Sequence, residues 1–139
     1  MNLKYILLSV FLSQLITHDI NAQNWSEFAN TIYYAKANLE LKLHSKTENR
    51  IVFMGNSITE GWVFFSPEFF ENRDYINRGI GGQTTPQMLL RFRPDVIDLN
   101  PKVVVILAGT NDIAGNTGHT PLETIIGNIK SMAEIASAN

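Results

Sequence analysis

The 139-residue sequence contains no cysteine, which excludes disulfides, thiolate nucleophiles and cysteine-ligated zinc. Histidine is scarce as well, only His18, His44 and His119, so proton-transfer chemistry has few imidazoles to draw on. Basic charge is also short. Eleven Lys and Arg stand against thirteen Asp and Glu, and no clustered patch marks a nucleic-acid partner. Several motifs are missing too. There is no G-x-x-x-x-G-K-[ST] phosphate loop, no H-E-x-x-H zinc helix and no G-x-S-x-G elbow. Gly79-Ile80-Gly81-Gly82 begins like G-x-G-x-x-G, but Thr84 occupies the third glycine position, which disfavours dinucleotide binding. The expected cofactor and metal complement is none.

A long hydrophobic run is the last absence. Ile6 to Ile16 is mostly apolar but too short to span a bilayer, which takes roughly 20 apolar residues. With Lys4 before it and Ile20-Asn21-Ala22 after it, the run reads as a signal peptide over residues 1–22. The expectation is an exported protein, periplasmic or extracellular, without stable membrane insertion. Residues 23–139 then form one small domain.

Within that domain, Trp25, Phe28, Ile32, Leu39 and Leu43 recur at roughly helical spacing and predict an amphipathic helix over 26–42. His44 falls just past it, as a solvated helix-end residue. Ile51 to Met54, closed by Gly55, reads as a buried strand, and Asp74 to Asn77 as a weaker one. Lys102 to Ala108 is the strongest strand signal. Its unbroken β-branched run predicts burial on both faces of a parallel sheet. Thr85-Pro86 predicts a helix start, and Thr120-Pro121-Leu122-Glu123 predicts a capping box ahead of the stripe Ile125, Ile126, Ile129, Met132 and Ile135. This alternation of helix and strand argues for an α/β fold, a three-layer α/β/α sandwich around a parallel sheet.

Each strand runs into a polar, glycine-containing stretch: Gly55-Asn56-Ser57, then Arg78 to Thr84, then Gly109-Thr110-Asn111-Asp112. A parallel sheet sets such ends side by side, on the edge where ligands bind. Read locally, Ser57 is either a helix N-cap or a nucleophile. Acyl transfer needs donors aimed at the developing oxyanion. Ser57 offers its N–H, Gly82 a backbone N–H that a substrate can approach closely, and Asn111 a side-chain amide.

These blocks resemble the SGNH hydrolases, also called GDSL-type esterases and lipases. Gly55-Asn56-Ser57 is similar to the family's G-D-S with Asn for Asp, N-R-G-I-G-G-Q-T-T to its glycine block, and Gly109-Thr110-Asn111-Asp112 to its G-x-N-D. The resemblance covers residues 45 to 139. It implies a flavodoxin-like fold with a five-stranded parallel sheet, Ser57 as nucleophile, and Gly82 with Asn111 in the oxyanion hole. The family's D-x-x-H block has no counterpart, and His119 lies in a Gly/Asn/Thr-rich loop seven residues after Asp112. The expectation is therefore a partial domain over 23–139, incomplete at the C-terminus and inactive as it stands. By the same resemblance the substrate is a small acyl ester, with acetylated carbohydrates the favoured class. Trp62, Phe64 and Phe65 are either pocket or core residues. An inactive acyl-sugar-binding module, and a thioesterase or lysophospholipase of the family, stay open as alternatives.

Overall fold

Three strands pair in parallel into one sheet: β1 (Ile51–Gly55), β2 (Tyr75–Gly79) and β3 (Val103–Leu107), in the order β2-β1-β3. The computed structural model describes residues 24–44, 49–71 and 73–139, so the expected signal peptide and the His44 side chain lie outside the described residues. Gly55 pairs with Gly79 on one side and Leu107 on the other, so the three carboxyl ends finish level. The chain leaves β1 for β2 on one flank and returns to β3 on the other. That reversal opens a crevice at the carboxyl ends.

The helices are α1 (Trp25–Ala29), α2 (Ala35–His44), α3 (Ser57–Phe65), α4 (Pro67–Phe70), α5 (Thr85–Asp95), α6 (Thr110–Ile113) and α7 (Leu122–Ser137), with a 3₁₀ turn at Ile97–Leu99. Strand residues alternate between faces. Val52 and Met54 point to one side, where Met88, Phe92, Val96 and Met132 are fully buried with them. Burying each such side chain contributes about 1.5–3 kcal/mol. On the other side Phe53 meets Trp62, Phe69, Phe70 and Tyr75 edge-on, and Trp62 stacks on Phe69 at 4.5 Å. The sheet is thus covered on both faces at β1 and β2, in the expected three-layer arrangement.

β3 departs from expectation. Val103, Val105 and Leu107 remain 44%, 41% and 37% exposed, so this strand is not buried on both faces. It is an edge strand, and α3 packs over β1 and β2, leaving that stretch of β3 uncovered among the described residues.

The predicted helix over 26–42 is two helices. Asn30 adopts a left-handed conformation (φ 50°) that ends α1, and residues 30–34 turn before α2 begins. Trp25, Ile32, Leu39 and Leu43 are exposed, so the periodic stripe is not the buried face. Polar bonds choose that face instead, together with Leu41, which packs on the core. Gln83 and Gln87 donate to the carbonyls of Ala29 and Phe28, each at 2.7 Å, and Asn38 of α2 is buried.

Both predicted caps also shift. The N-cap of α5 is Thr84, one residue before the predicted Thr85, and its N–H donates to Gln87 Oε1 at 2.9 Å. At α7 no capping box forms, because the helix begins only after Pro121, which has no side chain to cap with. Of the α7 stripe, Ile126 stays exposed.

A polar network that the apolar patterns did not foretell joins α2, β2 and α5. Arg91 and Asp95, both wholly buried, pair at 3.0 Å. Arg91 also donates to Gln83 Oε1 at 2.5 Å and to the Gly55 carbonyl at 3.2 Å. Arg78 donates to Asn38 Oδ1 at 2.9 Å, and Asn38 to Asp95 Oδ1 at 2.7 Å. The Arg78 guanidinium lies 4.5 Å from the centre of the Tyr34 ring, and the Tyr34 hydroxyl donates to the Gly79 carbonyl at 2.5 Å.

Burial pushes the Tyr34 phenol from 10.0 up to about 12, with the Arg78 charge opposing. The folded value lies above the unfolded one, so this stabilisation is whole below pH 10 and is lost as pH rises towards 12. Burial pulls the Arg78 guanidinium down to about 10, which acts in the opposite sense in any variant that keeps it. Tyr34→Phe is expected to cost about 1–2 kcal/mol at neutral pH. It also flattens the loss of Tm above pH 10 relative to the unsubstituted protein. Parallel Tm–pH curves for the two proteins would contradict this.

Candidate active site

Residue Asn56, not Ser57, caps helix α3. Its backbone is extended, its side-chain Oδ1 accepts the Ile58 N–H at 3.0 Å, and it is buried. Ser57 is therefore the first helical residue, exposed, and its hydroxyl makes no hydrogen bond among the described residues. The Asn56 amide donates to Thr110 Oγ1 at 2.7 Å, tying the end of β1 to the end of β3. An aspartate at 56 accepts only when ionised, so Thr110 would have to turn its hydroxyl towards it.

Glycine at 79 is demanded by close approach. A Cβ there would fall 2.1 Å from the Glu60 backbone nitrogen, because α3 crosses directly over the end of β2. Gly82 answers to a different constraint, a φ of +75° that L side chains rarely adopt. That turn leaves the Gly82 N–H without a hydrogen bond among the described residues, while its carbonyl accepts from the Asn116 side chain at 3.1 Å.

At the third strand end, Asn111 Nδ2 donates to the Gln83 carbonyl at 2.9 Å, which uses one of its two N–H groups. Asp112, beside it, is buried and accepts from Thr85 N at 2.9 and 3.0 Å and from Thr85 Oγ1 at 2.6 Å. Its carboxylate thus sits at the N-terminus of α5, where a helix favours negative charge. The sequence reading missed this role. Its signal was an acidic residue following Asn111, together with the helix start at Thr84-Thr85-Pro86.

The Ile80 N–H also donates to the Gly55 carbonyl at 3.1 Å, so the three loops are tied pairwise, and they carry Ser57, Gly82 and Asn111 to one edge of the sheet. The first turn of α3 leaves the Ser57 N–H unbonded as well. Chemically this edge holds an exposed hydroxyl and N–H donors with spare capacity. His119 is not part of it, lying exposed in the loop between α6 and α7. Among the described residues no group of three His, Asp or Glu side chains is placed to hold a metal.

Beside α3 an apolar hollow of about 380 Å³ opens between Phe53, Ile58, Trp62, Phe65, Val105 and Leu107. Trp62 and Phe65 line it; Phe64 does not and is 80% exposed.

Known proteins share this fold. A GDSL-like lipase of Bacteroides thetaiotaomicron, known from a crystal structure, is 58% identical, with a TM-score of 0.75 over 80% of this chain and 54% of its own. A proposed acylhydrolase of Bacteroides fragilis, also a crystal structure, is 58% identical, with a TM-score of 0.75 over 79% of this chain and 53% of its own. An uncharacterised lipoprotein of Bacillus subtilis is 56% identical over 43 residues, 31% of this chain and 18% of that protein. This chain thus spans about half the length of the crystal structures it matches. Residues 53–138 match the GDSL-like Lipase/Acylhydrolase family, a stretch that begins in β1 and carries all three loops, and the chain belongs to that family.

Proposed function

We propose that the full-length protein is an exported serine hydrolase of small acyl esters, with acetyl groups on carbohydrates as its substrate class. The observation that supports this reading is an exposed Ser57 hydroxyl without a hydrogen bond among the described residues, at the end of β1 in a parallel sheet whose three strand ends finish level. Ser57 Oγ attacks the ester carbonyl carbon, and the carbonyl π pair moves onto oxygen. The N–H groups of Ser57 and Gly82 and the Asn111 amide receive that charge. Collapse of the intermediate breaks the bond to the alcohol oxygen, and water then hydrolyses the acyl-serine.

The hydroxyl proton needs a base, and no described residue bonds Ser57 Oγ. By the family resemblance that base is the histidine of a D-x-x-H block, which residues 1–139 do not contain. Those residues alone are accordingly proposed to lack turnover. The same unpartnered hydroxyl supports a second reading, a module that binds acylated sugars without cleaving them. Export is supported by the Lys4-to-Ala22 pattern and by the relative named as a lipoprotein. Among the described residues no helix is long and apolar enough to cross a membrane.

Turnover by the full-length protein separates the readings, and Asn111→Ala tests the oxyanion hole. Hydrolysis predicts a fall in kcat of about 10²–10³-fold on p-nitrophenyl acetate, with KM moving far less, because the amide acts on charge present only in the transition state. A full-length protein without turnover would leave only the binding reading, and a fall confined to KM, or none, would remove Asn111 from the oxyanion hole.

A further inference from the structure

Glu60 lies three residues after Ser57 on α3, and its carboxylate flanks the same bare stretch of loop. A Cβ placed on Gly81 would fall 2.9 Å from Glu60 Oε2 and 3.8 Å from Ser57 Cβ. The other carboxylate oxygen, Oε1, accepts the Tyr33 hydroxyl at 3.0 Å. Oε2 makes no hydrogen bond among the described residues. Tyr33 comes from the turn between α1 and α2, and that turn is itself fastened to the rim. Tyr34 bonds the Gly79 carbonyl, Gln83 bonds the Ala29 carbonyl, and the two tyrosine rings meet edge-on at 4.8 Å. Tyr33 is half exposed, so the pair borders the opening and not the core. An exposed pair of this kind adds little to stability. Its placement gives it another use.

We propose that Glu60, oriented by Tyr33, is a specificity-determining residue for the alcohol portion of the ester. Its Oε2 accepts hydrogen bonds from hydroxyl groups next to the scissile ester, and its charge repels anionic alcohols. The inference rests on the hydrolase reading above and deepens it: the substrate is a neutral, polyhydroxylated ester. A hydroxyl bonded to a carboxylate makes a stronger bond than one to a neutral acceptor, and Gln at 60 keeps the shape without the charge.

The test compares three substrates with the full-length protein: mono-O-acetyl methyl β-xyloside, p-nitrophenyl acetate and mono-O-acetyl methyl β-glucuronide. Glu60→Gln is expected to lower the ratio of kcat/KM for the xyloside to that for p-nitrophenyl acetate about tenfold, chiefly through KM. It is also expected to narrow the handicap of the anionic glucuronide severalfold. Tyr33→Phe, which keeps the charge but frees its orientation, is expected to lower the first ratio about threefold. Ratios unmoved in both variants, or an equal fall in kcat on all three substrates, would overturn the proposal. The hydrolase reading fails separately, through a Ser57→Ala protein that keeps its rate.

Discussion

Replacing Ser57 by alanine in the full-length protein is expected to reduce kcat/KM on p-nitrophenyl acetate by about 10⁴–10⁶-fold, the scale on which removal of a serine nucleophile acts. The reasoning is local. Ser57 occupies the first position of α3 with its hydroxyl outside every hydrogen bond among the described residues, and the helix is capped by Asn56. Removing Oγ therefore takes away no cap and no core contact. Surface changes of that kind shift stability by only about 0.5 kcal/mol, so Tm serves as the control for folding. A lost rate with an unchanged Tm assigns the chemistry to Oγ. An alanine protein that retains its rate removes Ser57 from the mechanism. The 139-residue stretch assayed alone is expected to sit at the same floor as the alanine protein, for want of a base.

Arg91→Ala is expected to carry the largest stability cost, about 3–5 kcal/mol in denaturant unfolding. Arg91 and Asp95 are both wholly buried, and the guanidinium also holds Gln83 and the Gly55 carbonyl. Truncation leaves the Asp95 carboxylate buried without its paired guanidinium, with only Asn38 donating to it and the Arg78 charge nearby. A double replacement, Arg91→Met with Asp95→Leu, is expected to recover part of the loss, since the pair leaves together while Asn38 loses its acceptor and Arg78 its nearby carboxylate. If the double variant is as unstable as Arg91→Ala, the network matters through its bonds to Gln83 and Gly55. The site would feel that change directly. Gly55 precedes Asn56, and Gln83 follows Gly82 and accepts the Asn111 amide.

Much of the candidate site's edge was legible in the chain because its motifs are short and each follows a strand. A glycine-polar stretch after an apolar run marks where a strand must end, and parallel pairing brings such ends together. The structure ties the loops after β1, β2 and β3 to one another as that logic requires. Less legible were the elements decided by polar contacts. Asn30 in a left-handed turn splits the predicted helix, and α2 turns Asn38 and Leu41 inward and leaves Leu39 and Leu43 exposed. Periodicity records where apolar groups recur. It cannot say that Asp95 will stand opposite Asn38, 57 residues away.

The local sequence by itself determined the strands, their parallel class and the three residues brought to one edge. These follow from β-branched runs, glycine stops and alternation with helices, all short-range properties of the backbone. Tertiary structure alone decided which residue caps α3, which face of β3 stays open, and what lies beside Ser57. Asn56 takes the cap because Thr110, 54 residues on, accepts its amide. Glu60 reaches the rim because Tyr33, 27 residues earlier, holds its carboxylate there. Such bonds are chosen by the packing of distant elements, and buried or positioned polar groups take whichever partners that packing presents.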